Sequence, residues 1–402
     1  IIEPCNDSYY SHGFLVPKPN GKWRLVVDFK NINEATNKHY NWPIPNIKEM
    51  LYRIGSKKPN HFAVFDLTSG YYQCRIDDVS KKFTAFMTHN GVYRWLRLPM
   101  GLTGAGSHFQ NTMSTEVLYN YLTDFCELYL DDCIVHAGTE DAFIERLELI
   151  FQRFKEKNIT LNPTKCALGR DQVEYVGHLL NKDGLHFTRD KLDSVLNFPR
   201  PKTQKQIKSF LGLANYFRDH IDNHSNRCVP LQNMVNGYTK RKARNVVKWT
   251  PEANAAFEDL RQAIDECPLL WFIDETSPIF LQTDASDYGI GAYLYQVCLN
   301  PNTGEEEERP IGFISKAIHL EHASWDVPMK EGFAIYYALR KWEYLLRDRR
   351  FTILTDHENL TRLRSERLDT NQMVKRWFTA FQNYDIINWK WKKGVENMVP
   401  DE

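Results

Sequence analysis

The sequence predicts an α+β protein of more than one domain, and two observations lead to this class. A chain of 402 residues is too long for one ordinary hydrophobic core, so its length favours two or three folding units. The pattern of apolar residues also changes twice along the chain: mixed strands and helices give way to helices alone, and then to strands followed by a helix. We therefore predict three domains, at residues 1–180, 181–272 and 273–402.

The first predicted domain alternates β-type and helical stretches. Strands are predicted at Gly13–Pro17, Trp23–Asp28 and His61–Asp66, where β-branched and aromatic residues are concentrated. Residues 141–157 carry apolar side chains at every third or fourth position, which is typical of a helix. Residues 125–136 are interpreted as a strand, a tight turn and a second strand.

The middle segment is predicted to be helical from Thr188 to about Cys267. One candidate helix runs from Gln204 to Ile221. Another opens at Thr250-Pro251-Glu252, because Thr is a favoured cap, Pro suits the first helical position and an acid follows in the first turn.

The last predicted domain is a second, α/β domain with four strands and one helix. Its predicted strands are Ile279–Thr283, Ile290–Leu299, Pro310–Ile314 and Phe351–Thr355, with an acidic turn at residues 304–308 and a helix from about Pro328.

Composition limits the class of protein. No run of about 18 apolar residues predicts a membrane span, and the eight cysteines form no CxxC pair, which favours reduced intracellular thiols over a zinc site. The chain begins at Ile1 without an initiator Met or a signal-like segment, so we expect a piece of a longer protein that is not secreted.

Lys and Arg total 51, as do Asp and Glu, so any nucleic-acid surface must be local. Such a basic surface is predicted in the middle segment, from Lys202, Lys205, Lys208, Arg218, Arg227, Lys240, Arg241, Lys242, Arg244 and Lys248.

A first group of acids is predicted to bind metal. Asp131 and Asp132 lie at the predicted tight turn, and Asp66 ends an apolar strand that should lie beside it in one sheet. Taken alone, the adjacent acids are equally well explained as a solvated turn, which Asp favours. With Asp66 they form a cage for two hard divalent cations about 3.5–4 Å apart, as in nucleotidyl transfer.

A second group of acids is predicted in the last domain. Asp284 and Asp356 each follow an apolar strand, and their carboxylates would meet at one edge of the sheet if the two strands are parallel neighbours. Glu331 falls in the first helical turn, where an acid can simply interact favourably with the positive end of the helix dipole. It also shares a stripe with Ala334 and Ala338, the face that should pack on the sheet, which favours a metal ligand.

Six segments of the chain form a recognisable set of motifs: Lys22–Asp28, Asp66–Gln73, Leu98–Thr103, the YxDD-like Tyr129–Asp132, Glu174–His178 and Phe210–Tyr216. These segments resemble motifs of reverse transcriptases of the Ty3/gypsy class of LTR retrotransposons. Their order and spacing cover nearly the whole chain. One departure from the family is Gly104-Ala105-Gly106, where the family has Asn-Ala-Pro, so we expect a looser backbone after Thr103.

The last domain resembles ribonuclease H. Asp284, Glu331 and Asp356 are similar to the Asp-Glu-Asp core of that family. Residues 396–401 resemble the run that supplies a fourth acid, here Asp401, with Pro400 in place of Ala.

The resemblance implies a right-hand polymerase with fingers, palm and helical thumb, followed by an α/β ribonuclease H-like domain. It implies DNA synthesis on RNA and DNA templates, cleavage of RNA in RNA/DNA hybrids, and two Mg²⁺ or Mn²⁺ ions in each active site. The implied catalytic and metal-binding residues are Asp66, Asp131, Asp132, Asp284, Glu331, Asp356 and Asp401. Lys22 and Arg24 would grip the incoming triphosphate, Tyr71 would lie under the deoxyribose, and Met100 would contact the nucleotide.

The implied partners are an RNA template, a DNA or tRNA primer, an RNA/DNA hybrid and dNTPs, with a homodimer left open and no membrane. The implied location is a cytoplasmic virus-like particle. Two alternatives remain: a domesticated or non-catalytic nucleic-acid-binding subunit, and a telomerase-like or intron-type enzyme. The complete sets of acids argue against the first alternative, and the attached nuclease argues against the second.

Overall fold

The computed structural model describes residues 1–18, 21–36, 42–236, 246–287, 289–300, 303–318, 325–356 and 372–392. The chain forms two units, Ile1–Lys182 and Asp183–Glu402. The predicted boundary at residue 180 lies close to the division between them, whereas the predicted boundary at residue 272 falls inside the second unit. The division into three domains therefore stays a prediction. Among the described residues, no helix is long and apolar enough to span a bilayer.

The first unit contains eleven strands and five helices in its described part. The strands are β1 (Ile2–Pro4), β2 (Ser11–Pro17), β3 (Trp23–Asp28), β4 (His61–Asp66), β5 (Phe86–Thr88), β6 (Gly91–Trp95), β7 (Cys126–Tyr129), β8 (Asp132–Ala137), β9 (Ala167–Arg170), β10 (Gln172–Tyr175) and β11 (His178–Asn181). The helices are α1 (Lys30–Ala35), α2 (Ile47–Gly55), α3 (Asp78–Lys81), α4 (Ala105–Thr112) and α5 (Glu140–Glu156).

Two sheets organise the first unit. One has the order β1-β6-β5-β2-β3, and the other, which carries the first acids, has the order β7-β8-β4-β9. Helix α5 covers the second sheet with Phe143, Ile150 and Phe154, buried residues at helical spacing. Thr139 caps this helix by accepting a hydrogen bond from the Ala142 N–H. The helix predicted at residues 141–157 is thereby confirmed.

The second unit contains seven helices and seven strands in its described part. The helices are α6 (Arg189–Leu196), α7 (Gln204–Ala214), α8 (His224–Asn233), α9 (Pro251–Asp265), α10 (Val327–Lys341), α11 (Glu343–Leu346) and α12 (Gln372–Phe381). The strands are β12 (Gly184–His186), β13 (Leu270–Trp271), β14 (Ile279–Ala285), β15 (Gly289–Leu299), β16 (Glu306–Ala317), β17 (Arg350–Thr355) and β18 (Asp385–Trp391).

Helices α6 to α9 pack around one apolar core, as the helical pattern predicted. Thr250 caps α9 through a 3.2 Å hydrogen bond from the Ala253 N–H, with Pro251 at the start of the helix, so this predicted start is confirmed. The helix predicted from Gln204 to Ile221 was only partly right, because α7 ends at Ala214 and the chain continues as a 3-10 helix to His220.

The second unit also contains a five-stranded sheet of order β16-β15-β14-β17-β18, and β12 pairs with β13 outside this sheet. Strands β14 and β17 are parallel neighbours, which confirms the condition set for the second group of acids. The acidic turn predicted at residues 304–308 was wrong in extent. Strand β16 already begins at Glu306, because the long strand β15 offers it a pairing partner at Leu299.

The cap of α9 allows a stability test. Replacing Thr250 by Ala removes the acceptor for a helix N–H, so we expect the free energy of unfolding of the second unit to fall by about 1 kcal/mol. Thr250→Ser keeps the hydroxyl and is the matched control. Urea denaturation followed by circular dichroism measures the difference, and equal stability of the Ala and Ser variants would remove Thr250 from the cap.

A buried histidine in the first unit predicts a dependence of stability on pH. Burial, assisted by the positive charges of Lys57 and Arg146, lowers the pKa of His136 from its ordinary value of 6.5 to about 4. Between these pH values the His136 imidazole binds a proton in the unfolded chain but stays neutral in the folded chain. The free energy of unfolding is therefore highest above about pH 6.5 and decreases as the pH falls towards 4.

We expect the first unit to lose about 2 kcal/mol of stability through His136 between about pH 7.5 and about pH 5. Denaturation curves at the two pH values measure this loss. His136→Phe should reduce the loss, whereas the same change at the exposed His89 should not. An unchanged pH dependence in His136→Phe would contradict the assignment.

Candidate active sites

The first site is built at one end of the β7-β8-β4-β9 sheet. Strand β8 pairs with β4 in antiparallel register, which places Asp132 directly opposite Asp66. Strands β7 and β8 form a hairpin in which Tyr129 pairs with Asp132, so Leu130 and Asp131 make the two-residue turn. The predicted hairpin, and its position beside the strand that ends at Asp66, are confirmed.

Burial and like charges together perturb an acid of this site. Burial raises the pKa of Asp132, and the neighbouring carboxylates of Asp131 and Asp66 raise it further. Lys165, which was not singled out from the sequence, offsets part of this effect, and its Nζ lies 3.1 Å from Asp66 Oδ2. The carboxylate oxygens of these three acids do not all lie within 4.8 Å of one another.

The donor set of the first site suits a hard divalent cation. Carboxylate oxygens from Asp66 and Asp132 face each other across the strand pair, and Asp131 lies in the adjoining turn. Oxygen ligands of this kind are those that Mg²⁺ and Mn²⁺ prefer.

Tyr71 lies beside the turn that carries Asp131. It belongs to the 3-10 helix Gly70–Gln73, and its ring stacks on Phe109 with centroids 5.0 Å apart. Burial raises the pKa of Tyr71, and the nearby charge of Asp131 raises it further. A Cβ atom on Gly106 would lie 3.4 Å from the Tyr71 hydroxyl, so the glycine leaves room for the tyrosine ring. The structure thus brings Tyr71 and Asp131 together.

The other predicted nucleotide contacts are exposed. Lys22 precedes β3, Arg24 lies within it, and both side chains are open to solvent. Met100 is 43% exposed, in a turn that Asn33 fixes. The Asn33 amide donates to Gly101 O at 2.8 Å, and its Oδ1 accepts from the Thr103 N–H at 2.7 Å. The roles assigned to Lys22, Arg24 and Met100 stay predictions.

The family departure at residues 104–106 has a local structural explanation. Gly104 adopts φ +83°, a left-handed conformation that glycine takes without strain, and the helix α4 begins directly after it at Ala105. Gly104 therefore serves as the residue that enters a regular helix, and the expected looser backbone stays a prediction.

The second site lies where β14 and β17 end, in the β16-β15-β14-β17-β18 sheet. Thr283 of β14 pairs with Thr355 of β17 in parallel register, so Asp284 and Asp356 follow at the same edge. Glu331 is fully buried on α10, and its Oε1 accepts a 2.8 Å hydrogen bond from the Ala285 N–H. Ligand oxygens of the three acids all lie within 4.8 Å of one another.

The burial of Glu331 decides between the two interpretations of this residue. Asp326, not Glu331, caps α10, since its side chain accepts a hydrogen bond from the Met329 N–H. Glu331 instead faces the sheet edge with Asp284 and Asp356. The three carboxylates converge as hard oxygen donors, which are the ligands that Mg²⁺ and Mn²⁺ prefer.

Two further features concern this site. The Trp391 indole N–H donates a 2.7 Å hydrogen bond to the backbone carbonyl of Asp356, a contact that no sequence motif signalled. Asp401, predicted as the fourth acid, lies outside the described residues.

The predicted basic surface of the middle segment is only partly available. Arg227 is paired with Asp222 and Asp259, and Arg218 donates to the Ser315 carbonyl. These two arginines therefore stabilise the fold. Lys202, Lys205 and Lys208 are exposed, whereas residues 240–244 lie outside the described part of the chain.

Two known families match this chain, each over one of the two sites. Residues 16–180 match the family described as reverse transcriptase (RNA-dependent DNA polymerase). Residues 274–384 match the family described as RNase H-like domain found in reverse transcriptase. The chain belongs to the reverse transcriptase family. The family predicted from the motifs is thereby confirmed.

Relatives of this reverse transcriptase include polyproteins of transposons. The retrovirus-related Pol polyprotein from transposon opus of Drosophila melanogaster is 32% identical over 414 residues, covering 100% of this chain and 40% of that protein. The transposon Tf2-3 polyprotein of Schizosaccharomyces pombe is 30% identical over 391 residues, covering 96% of this chain and 28% of that protein. The reverse transcriptase chain thus spans two fifths or less of the length of these relatives.

Solved structures show the same fold. A foamy viral protease-reverse transcriptase in complex with dsDNA matches with a TM-score of 0.80 at 22% identity, covering 98% of this chain and 79% of that chain. The same kind of protein in complex with RNA/DNA hybrid matches with a TM-score of 0.75, also at 22% identity, covering 98% of this chain and 51% of the other. The predicted fold class, a polymerase followed by a ribonuclease H-like domain, is confirmed.

The position of Tyr71 predicts a change in sugar selectivity. Replacing it by Val opens the space that a ribose 2′-hydroxyl needs, so the ratio of kcat/KM for dNTP to that for rNTP should fall by about tenfold or more. Single-nucleotide extension measures the ratio, with the exposed Tyr9→Val as control. An unchanged ratio in an active variant would make Tyr71 a packing residue.

Proposed function

We propose that this chain synthesises DNA on RNA and DNA templates at the first site and cleaves the RNA strand of RNA/DNA hybrids at the second. The observation that carries the proposal is that one chain holds two separate groups of three acids, each at a strand end inside a matching family region. Asp66, Asp131 and Asp132 form the first group, and Asp284, Glu331 and Asp356 form the second. The chemistry in both cases is attack on a phosphorus atom.

Each site would bind two divalent ions, Mg²⁺ or Mn²⁺. Ions bound there would activate the attacking oxygen and neutralise the charge on the leaving oxygen. The residues of the chain bind and orient these ions. Tyr71 limits the sugar to deoxyribose, and Lys22 and Arg24 hold the triphosphate through charge-assisted hydrogen bonds.

The proposed partners are an RNA template, a DNA or tRNA primer, dNTPs and the hybrid product. The foamy viral proteins of similar fold were solved with dsDNA and with RNA/DNA hybrid, which supports a nucleic-acid duplex as partner here. The exposed Lys202, Lys205 and Lys208 suit contact with a phosphate backbone. Retrotransposon replication in a cytoplasmic virus-like particle, with a homodimer as one assembly, completes the proposal.

Because each site carries its own acids, the two activities should be separable. We expect Asp131→Asn to lower DNA synthesis by about 10³-fold or more while hybrid cleavage stays near that of the unmodified chain, and Glu331→Gln to do the reverse. Primer extension on an RNA template and a gel assay of hybrid cleavage measure the two rates.

Asp141→Asn and Glu343→Gln, which change carboxylates outside both sites, are the matched controls. Loss of both activities in a folded single-site variant would contradict separate sites. An unmodified chain that binds hybrid without either activity would favour the alternative of a non-catalytic subunit.

A further inference from the structure

The turn that carries Asp131 has an unfavourable backbone conformation. Leu130, the first residue of the turn, has φ +53°, in the left-handed region that residues with a side chain rarely adopt. Asp131 follows it directly, and Asp132 then opens β8 opposite Asp66. A change of conformation at Leu130 would therefore move the Asp131 carboxylate and rotate it relative to Asp132.

One buried side chain forms hydrogen bonds with the backbone at this turn. Gln110 lies on α4 and is 1% exposed. Its Oε1 accepts a 2.7 Å hydrogen bond from the Leu130 N–H, and its Nε2 donates a 3.2 Å hydrogen bond to the Leu128 carbonyl. The side-chain amide of Gln110 thus contacts the backbone of β7 at Leu128 and the backbone of the turn at Leu130.

The short bond to Leu130 fixes the peptide that enters the left-handed residue. Leu130 is only partly exposed, and its N–H is satisfied by Gln110 in this conformation, so the hydrogen bond favours the backbone conformation in which Gln110 accepts from it. The second bond, to Leu128, prevents the amide from rotating away. Gln110 therefore stabilises the unfavourable conformation without touching the acids themselves.

We propose that Gln110 is a positioning residue of the polymerase site, which holds Leu130 in the left-handed conformation and so presents Asp131 and Asp132 for metal binding. This inference rests on the proposed polymerase function. It adds a residue that contacts neither nucleotide nor metal, and that acts through the backbone of the turn.

The test exploits the ability of glycine to adopt positive φ without strain. Gln110→Met keeps the size and apolar stem of the side chain but removes these two hydrogen bonds, together with the 3.2 Å bond that Nε2 donates to Ser114 Oγ. We expect kcat for nucleotide addition to fall by about 10- to 100-fold, because the acids leave their working geometry, with KM for dNTP changed by less than about threefold. Hybrid cleavage at the second site should be unchanged and reports on folding of the sample.

The decisive variant adds Leu130→Gly to Gln110→Met. Glycine makes the left-handed conformation available without support from Gln110, so the double variant should recover most of the lost kcat. Leu130→Gly alone is the control for loss of the leucine side chain. If Gln110→Met fails to fold, Gln110→Asn, whose amide is one methylene shorter, is compared with and without Leu130→Gly in the same way.

Each result has one meaning. A fall in kcat that Leu130→Gly reverses supports the positioning role. A kcat within about twofold of the unmodified chain, or a fall that glycine does not reverse, overturns it. A parallel loss of hybrid cleavage and thermal stability would assign Gln110 to general packing and also overturns it. Failure of the proposed polymerase function is separate, since it would appear as inactivity of the unmodified chain.

Discussion

Repulsion between like charges is the constraint on which both sites depend. Carboxylates placed a few ångströms apart destabilise one another. At Asp132, burial raises the pKa, and the neighbouring carboxylates of Asp131 and Asp66 raise it further. Such groups stay together only where a rigid backbone fixes their positions. In this chain the rigid backbone is in each case a pair of hydrogen-bonded strands, with an apolar helix packed against one face.

The two sheets meet this constraint in different ways. In the first site, antiparallel pairing places Asp66 and Asp132 opposite each other, and a tight turn adds Asp131. In the second site, parallel strands deliver two acids to one edge, and a buried helical residue supplies the third. The carboxylate oxygens lie closer together in the second site. There a helix packed on the sheet places its carboxylate beside the ends of the two strands, whereas a turn projects towards solvent.

Much of this could be predicted from the sequence, because the signals are local. An apolar strand that ends in an acid identifies Asp66, Asp284 and Asp356, and helical spacing places Glu331 on an inward face. The supporting residues could not be found in the same way. Gln110 and Lys165 lie in unremarkable local sequence, and their contacts with the site arise from tertiary packing across many residues of chain. The end of α7 at Ala214 was missed for a similar reason, since the change from α to 3-10 geometry leaves the apolar pattern almost intact.

The parallel pairing of β14 and β17 also has a consequence for how the second site comes into being. Parallel neighbours cannot be joined by a hairpin, so β15, β16 and α10 all lie between β14 and β17 along the chain. Asp284 and Asp356 are therefore brought together by pairing between strands that are distant in sequence, and Glu331 joins them only when α10 packs on the sheet. A chain in which either step is incomplete carries the three acids without the arrangement that brings their oxygens within 4.8 Å of one another.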